Sequence, residues 1–256
     1  LEIMKLHASV MAPKFECVAK WLNREIRPLG IAHWNDPKGG YFVSVNTKPG
    51  LAKRTLALCK EAGVVMTGAG ATFPYGRDPQ DSNIRIAPSL PPVEELEQAM
   101  EIFCTSLRLS ALEQQSAPAS LTEFSLDEQL RQVILRLEPT WSARSISWQL
   151  DLNSVTVVSD EELLSHVWMN IIQNAIKFSP ENAVIEVRVF ATDTATVEIT
   201  DHGIGMDDAT VKRIFDRFYQ ADRSRKQEGV GLGLCLVKRI LDMLGGTVSV
   251  DSRPGE

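Results

Sequence analysis

The sequence predicts an α+β chain of two domains, the second a two-layer sandwich of helices on a sheet. Three observations predict it. The chain has 256 residues, with 44% hydrophobic and 23% charged residues. That is a globular balance, and at about 100–200 residues per domain it allows one large domain or two ordinary ones. The charge is uneven: 13 basic and 12 acidic residues lie in 1–115, against 14 and 21 in 116–256. Such a split marks two modules, although ordinary surface charge can also produce it. Finally, Val93, Leu96, Met100, Phe103, Leu107 and Ala111 recur at helical spacing and stop at Gln114–Ser120, a small, polar, proline-bearing stretch. The expected division is a domain at 1–113, a linker at 114–120 and a domain at 121–256.

The first domain reads as mixed α and β. Residues 4–27 are helical in pattern, Gly39–Val45 is a strand opened by glycines, and Leu51–Ala62 is a helix. Short strands follow at Val64–Thr67 and Asn83–Pro88, before the long helix ending near residue 113. In the second domain Ser145–Leu152 alternates, with Ile146, Trp148, Leu150 and Leu152 on one face. A helix at Glu161–Phe178 precedes strands at Val184–Phe190 and Thr196–Asp201. Another helix starts near Asp208. A third runs from about Gly231 to Leu244, where Gly245–Gly246 stops it, and Thr247–Asp251 reads as a last strand. Helices on one face of an antiparallel sheet make two layers.

Composition excludes several functions. A net charge of −6 argues against a nucleic-acid binder driven by phosphate contacts. No run of 18 apolar residues exists to span a membrane, and no signal peptide is expected. Cys17, Cys59, Cys104 and Cys235 are scattered without a CxxC pair, so the expectation is reduced thiols in the cytoplasm rather than structural zinc. The first residues are helical in character and the last follow a strand pattern, so both ends are expected to be cut from something longer.

Three motifs in the second domain can carry chemistry. Asn170, Asn174 and Lys177 are spaced i, i+4, i+7 and share a helix face. Two amides and an ammonium suit Mg²⁺ and phosphate oxygens. A solvated polar face has the same pattern. Asp201-His202-Gly203-Ile204-Gly205-Met206 ends an alternating strand; its glycines permit close backbone approach and its carboxylate can accept from an exocyclic amine. A plain Asp-Gly turn has that pattern too. Gly229-Val230-Gly231-Leu232-Gly233-Leu234 leads into an amphipathic helix, where free amides and the helix dipole attract anions. It follows no βαβ strand and lacks Gly-Lys-Ser/Thr, so it is neither a dinucleotide fingerprint nor a Walker A loop. Between the last two, Ile214–Tyr219 and the charged run Asp222–Glu228 suit a lid over a nucleotide, or an exposed loop.

Together, NIIQNAIKFSP, DHGIGM, FDRFYQAD and GVGLGL resemble the N, G1, F and G2 boxes of sensor histidine kinases. Those enzymes carry the Bergerat ATP-binding fold of the GHKL superfamily. The resemblance covers about 107–256, where LRLSALEQQ and FSLDEQL are similar to the end of the dimerisation helices and the lead into the catalytic domain. It implies that Asn174 coordinates Mg²⁺, that Asn170 supports phosphates and metal, and that Lys177 meets phosphate oxygens. It implies that Phe178 packs near ATP, that Asp201 reads the adenine amine, and that Gly203 and Gly205 shape that wall. Phe215, Arg217 and Phe218 would belong to the lid, and Gly229, Gly231, Leu232 and Gly233 would wrap the phosphates. An amide at Asn170, where ATPase members carry a glutamate, is no general base. That favours phosphoryl transfer to a protein histidine over hydrolysis.

The same resemblance implies a response regulator and a histidine-bearing dimerisation domain as partners. None of His7, His33, His166 and His202 stands in a phosphoacceptor box. Val230 replaces the usual small hydroxyl residue, and a further glycine box is expected beyond residue 256.

In the first domain, Asn83-Ile84-Arg85-Ile86 places one arginine among apolar residues. Its fork can pair a carboxylate bidentately, or lie at a surface edge. GIAHWNDPKGGYFVSV, AKRTLALCKEAGVVMTGAGATFPYG and DSNIRIAPSLPPVEELEQAMEIF resemble the C-terminal small domain of class I aminotransferases, which use pyridoxal phosphate (PLP). The resemblance covers about 1–113. It implies that Arg85 binds a substrate carboxylate and that Gly39, Gly40 and Tyr41 line the substrate side. The large domain with its imine-forming lysine is expected upstream, so PLP is not expected to bind.

Three functions follow. One is an ATP-binding module of a histidine kinase, acting on a histidine outside this chain. The others are an inactive aminotransferase fragment and a non-catalytic chimera. Both families dimerise through parts not seen here, which leaves a homodimer open.

Overall fold

The computed structural model describes residues 2–37, 39–115, 120–220 and 231–255. The chain divides into two compact units, residues 2–115 falling in the first and 120–220 with 231–255 in the second.

In the first unit, α1 (Glu2–Trp21) runs into a π-helical turn at Leu22–Ile26. Strands β1 (Ala32–Trp34), β2 (Val43–Thr47) and β3 (Asn83–Ile86) form an antiparallel sheet in the order β1-β2-β3. Ala32 pairs with Thr47, and Val43 with Ile86. Helices α2 (Ala52–Glu61) and α3 (Val93–Gln114) complete it, α3 packing on both α1 and α2. Val18, Leu22, Val45, Leu51, Ile84 and Phe103 belong to one buried core, which fixes the central strand between helices. Two expectations change. The strand begins at Val43, because Gly39–Phe42 is exposed and Gly40 takes φ +95°. Val64–Thr67 forms no strand: Val65 is 81% exposed, so no partner covers it.

The second unit opens with β4 (Thr122–Ser125), α4 (Leu126–Arg136) and α5 (Glu138–Ser142). These elements were not read from the sequence. Next come β5 (Ser147–Leu152), β6 (Thr156–Ser159), α6 (Glu161–Phe178), β7 (Val184–Ala191) and β8 (Ala195–Thr200). A short α7 (Asp208–Val211) and then α8 (Gly233–Leu244) follow. β4 pairs with β6, and the main sheet has the order β5-β7-β8.

That sheet is mixed rather than antiparallel, since β5 runs parallel to β7 while β8 runs against it. The two-layer reading stands. Ile185, Val187 and Val189 are fully buried on one face of β7. On the opposite face Arg188 pairs with Asp151 and Glu198 across the neighbouring strands, in solvent. Helix α6 packs against α4, α8 and β8. Thr247–Asp251 takes no strand pairing among the described residues. The segment just after it bonds instead to the loop that follows β8. Among the described residues no helix is long and apolar enough to cross a membrane.

Candidate functional site

Helix α6 is the frame of the site. Asp160 caps its N-terminus by accepting from the Leu163 amide at 3.1 Å, a contact worth about 1 kcal/mol. Val167, Trp168, Ile172, Ala175 and Ile176 are buried. Trp168 Nε1 donates to Gln129 Oε1 at 2.8 Å, which ties the helix to α4. Asn170, Asn174 and Lys177 are only half-buried, on the face the spacing predicted.

The C-terminal end of α6 is held by a residue the motifs do not include. The Arg144 guanidinium donates to the carbonyls of Ile176, Lys177 and Ser179 at 2.6, 2.7 and 2.6 Å. Those are carbonyls a helix end leaves without partners, and a cation suits the negative end of the dipole. The Lys177 ammonium lies 5.0 Å over the Phe178 ring.

Asn170 Nδ2 donates to the His166 carbonyl at 2.8 Å, which orients the amide. Its Oδ1 then faces the start of α8, where a Cβ on Gly233 would stand 2.7 Å away. Residues 63 positions apart in sequence therefore meet, and glycine is what permits it. Leu232 is buried and precedes α8 without capping its amides through a side chain. Such uncapped amides are anion-binding groups.

Asp201 follows β8. It accepts from the Gly203 amide at 3.0 Å. The side chain is open to solvent yet crowded enough by protein to lose hydration, and that loss pushes its carboxyl above the usual range. The Gly203 amide and the neighbouring His202 oppose the shift. A Cβ on Gly203 would come 2.8 Å from the Phe178 carbonyl, so this loop lies against the end of α6.

In the segment after α7, the Phe218 amide donates to the Gly231 carbonyl at 2.9 Å, with Phe218 at φ +60°. Gly231 is equally confined, since a Cβ there would meet the Tyr219 carbonyl at 2.6 Å. Phe215 is half-buried and Arg217 exposed. Gly229 and the run 222–228 lie outside the described residues.

In the first unit, Arg85 Nη2 donates to Thr67 Oγ1 at 3.5 Å, and the guanidinium lies 4.4 Å over the Phe42 ring. Its Nε is buried without a hydrogen-bond partner. No carboxylate pairs with it among the described residues. Gly39, Gly40 and Tyr41 are exposed. Burial pushes the Cys59 thiol up to about 11 and raises that of Cys104 further, so neither is a nucleophile at neutral pH.

Residues 1–118 match the family described as aspartate amino-transferase. Residues 159–256 match the family of histidine kinase-, DNA gyrase B- and HSP90-like ATPases. The chain joins an aspartate aminotransferase-like domain to a histidine kinase-type ATPase domain. An aspartate aminotransferase of Corynebacterium glutamicum is 48% identical over 111 residues, covering 43% of this chain and 26% of that protein. Sensor protein CiaH of Streptococcus pneumoniae is 42% identical over 103 residues, covering 39% of this chain and 23% of that one. The chain thus spans about a quarter of each relative. The crystal structure of full-length ShkA, in complex with AMPPNP, aligns over 81% of this chain and 40% of its own at 22% identity, with a TM-score of 0.56. That likeness is one of fold. The ATPase domain contains every motif residue named above from Asn170 onward, and Arg144 lies just outside its matched span.

Proposed function

We propose that residues 121–256 form the ATP-binding catalytic module of a two-component sensor kinase, and that 1–113 is an aminotransferase-derived domain joined to it through 114–120. The observation that carries the reading is the meeting of Asn170 with Gly233, which sets the polar face of α6 against the uncapped start of α8. Asp201 stands on the loop that abuts the C-terminal end of the same helix.

In this reading Asp201 accepts a hydrogen bond from the adenine amine, while the amides at the start of α8 and the Lys177 ammonium take phosphate oxygens. The donor set fits Mg²⁺ brought in with the phosphates. Asn174 offers a hard carbonyl oxygen, and no cluster of three His, Cys, Asp or Glu residues makes a protein cage among the described residues. When bound, that ion neutralises charge on the transferring phosphoryl group. A histidine nitrogen outside this chain attacks the γ-phosphorus in line, the bond to the β-bridging oxygen breaks, ADP leaves and the imidazole proton goes to solvent. Asn170 holds phosphate and metal in place and takes no proton, which disfavours attack by water.

The partners on this reading are a histidine-bearing dimerisation domain and a response regulator, in the cytoplasm, with a homodimer formed through that domain. Among the described residues the cysteines are free thiols, which suits that compartment. The second reading, an aminotransferase fragment, rests on Arg85, whose buried, unpartnered Nε and aromatic neighbour suit a planar carboxylate. Phe42 and Thr67 beside it offer no amine for an imine, so no PLP chemistry is derived from this chain.

The test is transfer of labelled γ-phosphate to a histidine-bearing helical hairpin added in trans, with Mg²⁺. The expected result is an acid-labile, alkali-stable label on the hairpin, absent with Asp201→Asn. ATP binding without any transfer to a range of such hairpins contradicts the kinase reading.

A further inference from the structure

The loop carrying Asp201 is held on two sides. On one side, Gly203 lies against the Phe178 carbonyl, within the stretch whose flanking carbonyls Arg144 binds. On the other, residues 252–255 run along residues 204–206. The Met206 amide donates to Ser252 Oγ at 3.0 Å. The Gly255 amide donates to the Ile204 carbonyl at 2.9 Å. Between these bonds Gly205 takes φ +64°, and a Cβ there would overlap the Arg253 carbonyl oxygen. The two backbones are in direct contact, and both this contact and the positive φ favour glycine at 205.

We infer that Ser252 is a positioning residue for nucleotide binding: it fixes the Asp201 loop without touching the nucleotide. This rests on the nucleotide reading of the site. The Asp201 carboxylate is oriented by the Gly203 amide of its own loop. The loop's far end is fixed by a bond to a side chain, the Met206 amide donating to Ser252 Oγ. Losing that hydroxyl frees the Met206 amide, and the loop must be ordered again each time a ligand binds, which lowers apparent affinity. The half-buried Ser252 is not part of the core, so its truncation costs the fold little.

The experiment uses the full chain and AMP-PNP with Mg²⁺, titrated calorimetrically. Ser252→Ala is expected to weaken binding about tenfold, equal to about 1.4 kcal/mol, while Ser252→Thr, which keeps the hydroxyl, stays within about twofold of the unaltered chain. Met206 amide exchange, read without nucleotide, is expected to quicken in Ser252→Ala alone. Unchanged affinity in Ser252→Ala overturns the proposal and leaves the nucleotide reading standing. Equal weakening in the Ala and Thr variants also overturns it, because the loss is then one of shape. Failure of the unaltered chain to bind overturns the nucleotide reading, and the role of Ser252 with it.

Discussion

Asn170 and Gly233 touch: the amide oxygen of one occupies the space a side chain on the other would need. A helix face and a glycine run, each weak alone, become one surface through that contact. Gly233→Ala places a methyl 2.7 Å from Asn170 Oδ1. The amide must then rotate away from the His166 carbonyl or the start of α8 must shift. Affinity for AMP-PNP should fall at least about tenfold, or roughly 1.4 kcal/mol. Helix propensity favours alanine, so the unfolding midpoint should change little. Calorimetry and a denaturant curve on the same variant check both.

Arg144→Ala leaves the carbonyls of Ile176, Lys177 and Ser179 without their donor. Bonds to a charged group contribute about 1.5–3 kcal/mol each when counted singly, and shared donors are not additive. The second unit should lose roughly 2–4 kcal/mol in urea unfolding. Arg144→Lys should recover less than half, because a point charge cannot span three carbonyls. A full recovery by lysine would contradict this account of the helix end.

Acid should unfold the second unit in part through Asp127. Its carboxylate accepts from Ser125 Oγ and from Arg131 Nη1, each at 2.6 Å. Those bonds hold its carboxyl at about 2. The unfolded value is near 4. A depressed carboxyl favours the folded state above the unfolded value and loses that contribution as pH falls from about 4 towards 2. Asp127→Asn should therefore flatten the urea midpoint against pH across that window.

Asp201 runs the other way. Its carboxyl is raised by lost hydration. Ionising it costs the folded state, so its contribution to stability declines as pH rises from the ordinary carboxylate value through the raised one, and is level above that. Nucleotide affinity has the opposite slope, since only the carboxylate accepts from an amine: binding should weaken as pH falls through the raised value. AMP-PNP titrations of the unaltered chain at several pH values read this directly.

Much of the second unit was legible because its helices are long and strongly patterned. Glu161–Phe178 appears with the boundaries expected for it, and α8 stops at Gly245, in the left-handed conformation at φ +73°. The pair β4 and β6 was not legible: Thr122–Ser125 and Thr156–Ser159 are four residues each, too short for alternation to stand out. The last strand failed for a different reason. Thr247–Asp251 has the right residues, but a strand needs a partner edge, and no pairing forms there among the described residues. Arg144 and Ser252 carry no local signal, because their partners lie 32–35 and 46 residues away. Only the fold brings them together.

The most direct test of the central claim is a calorimetric titration of the full chain with AMP-PNP, with and without Mg²⁺, beside Asp201→Asn. The account predicts saturable one-to-one binding that Mg²⁺ strengthens and that Asp201→Asn abolishes while still unfolding cooperatively. Binding of equal strength in Asp201→Asn, or none by a cooperatively unfolding unaltered chain, would contradict it.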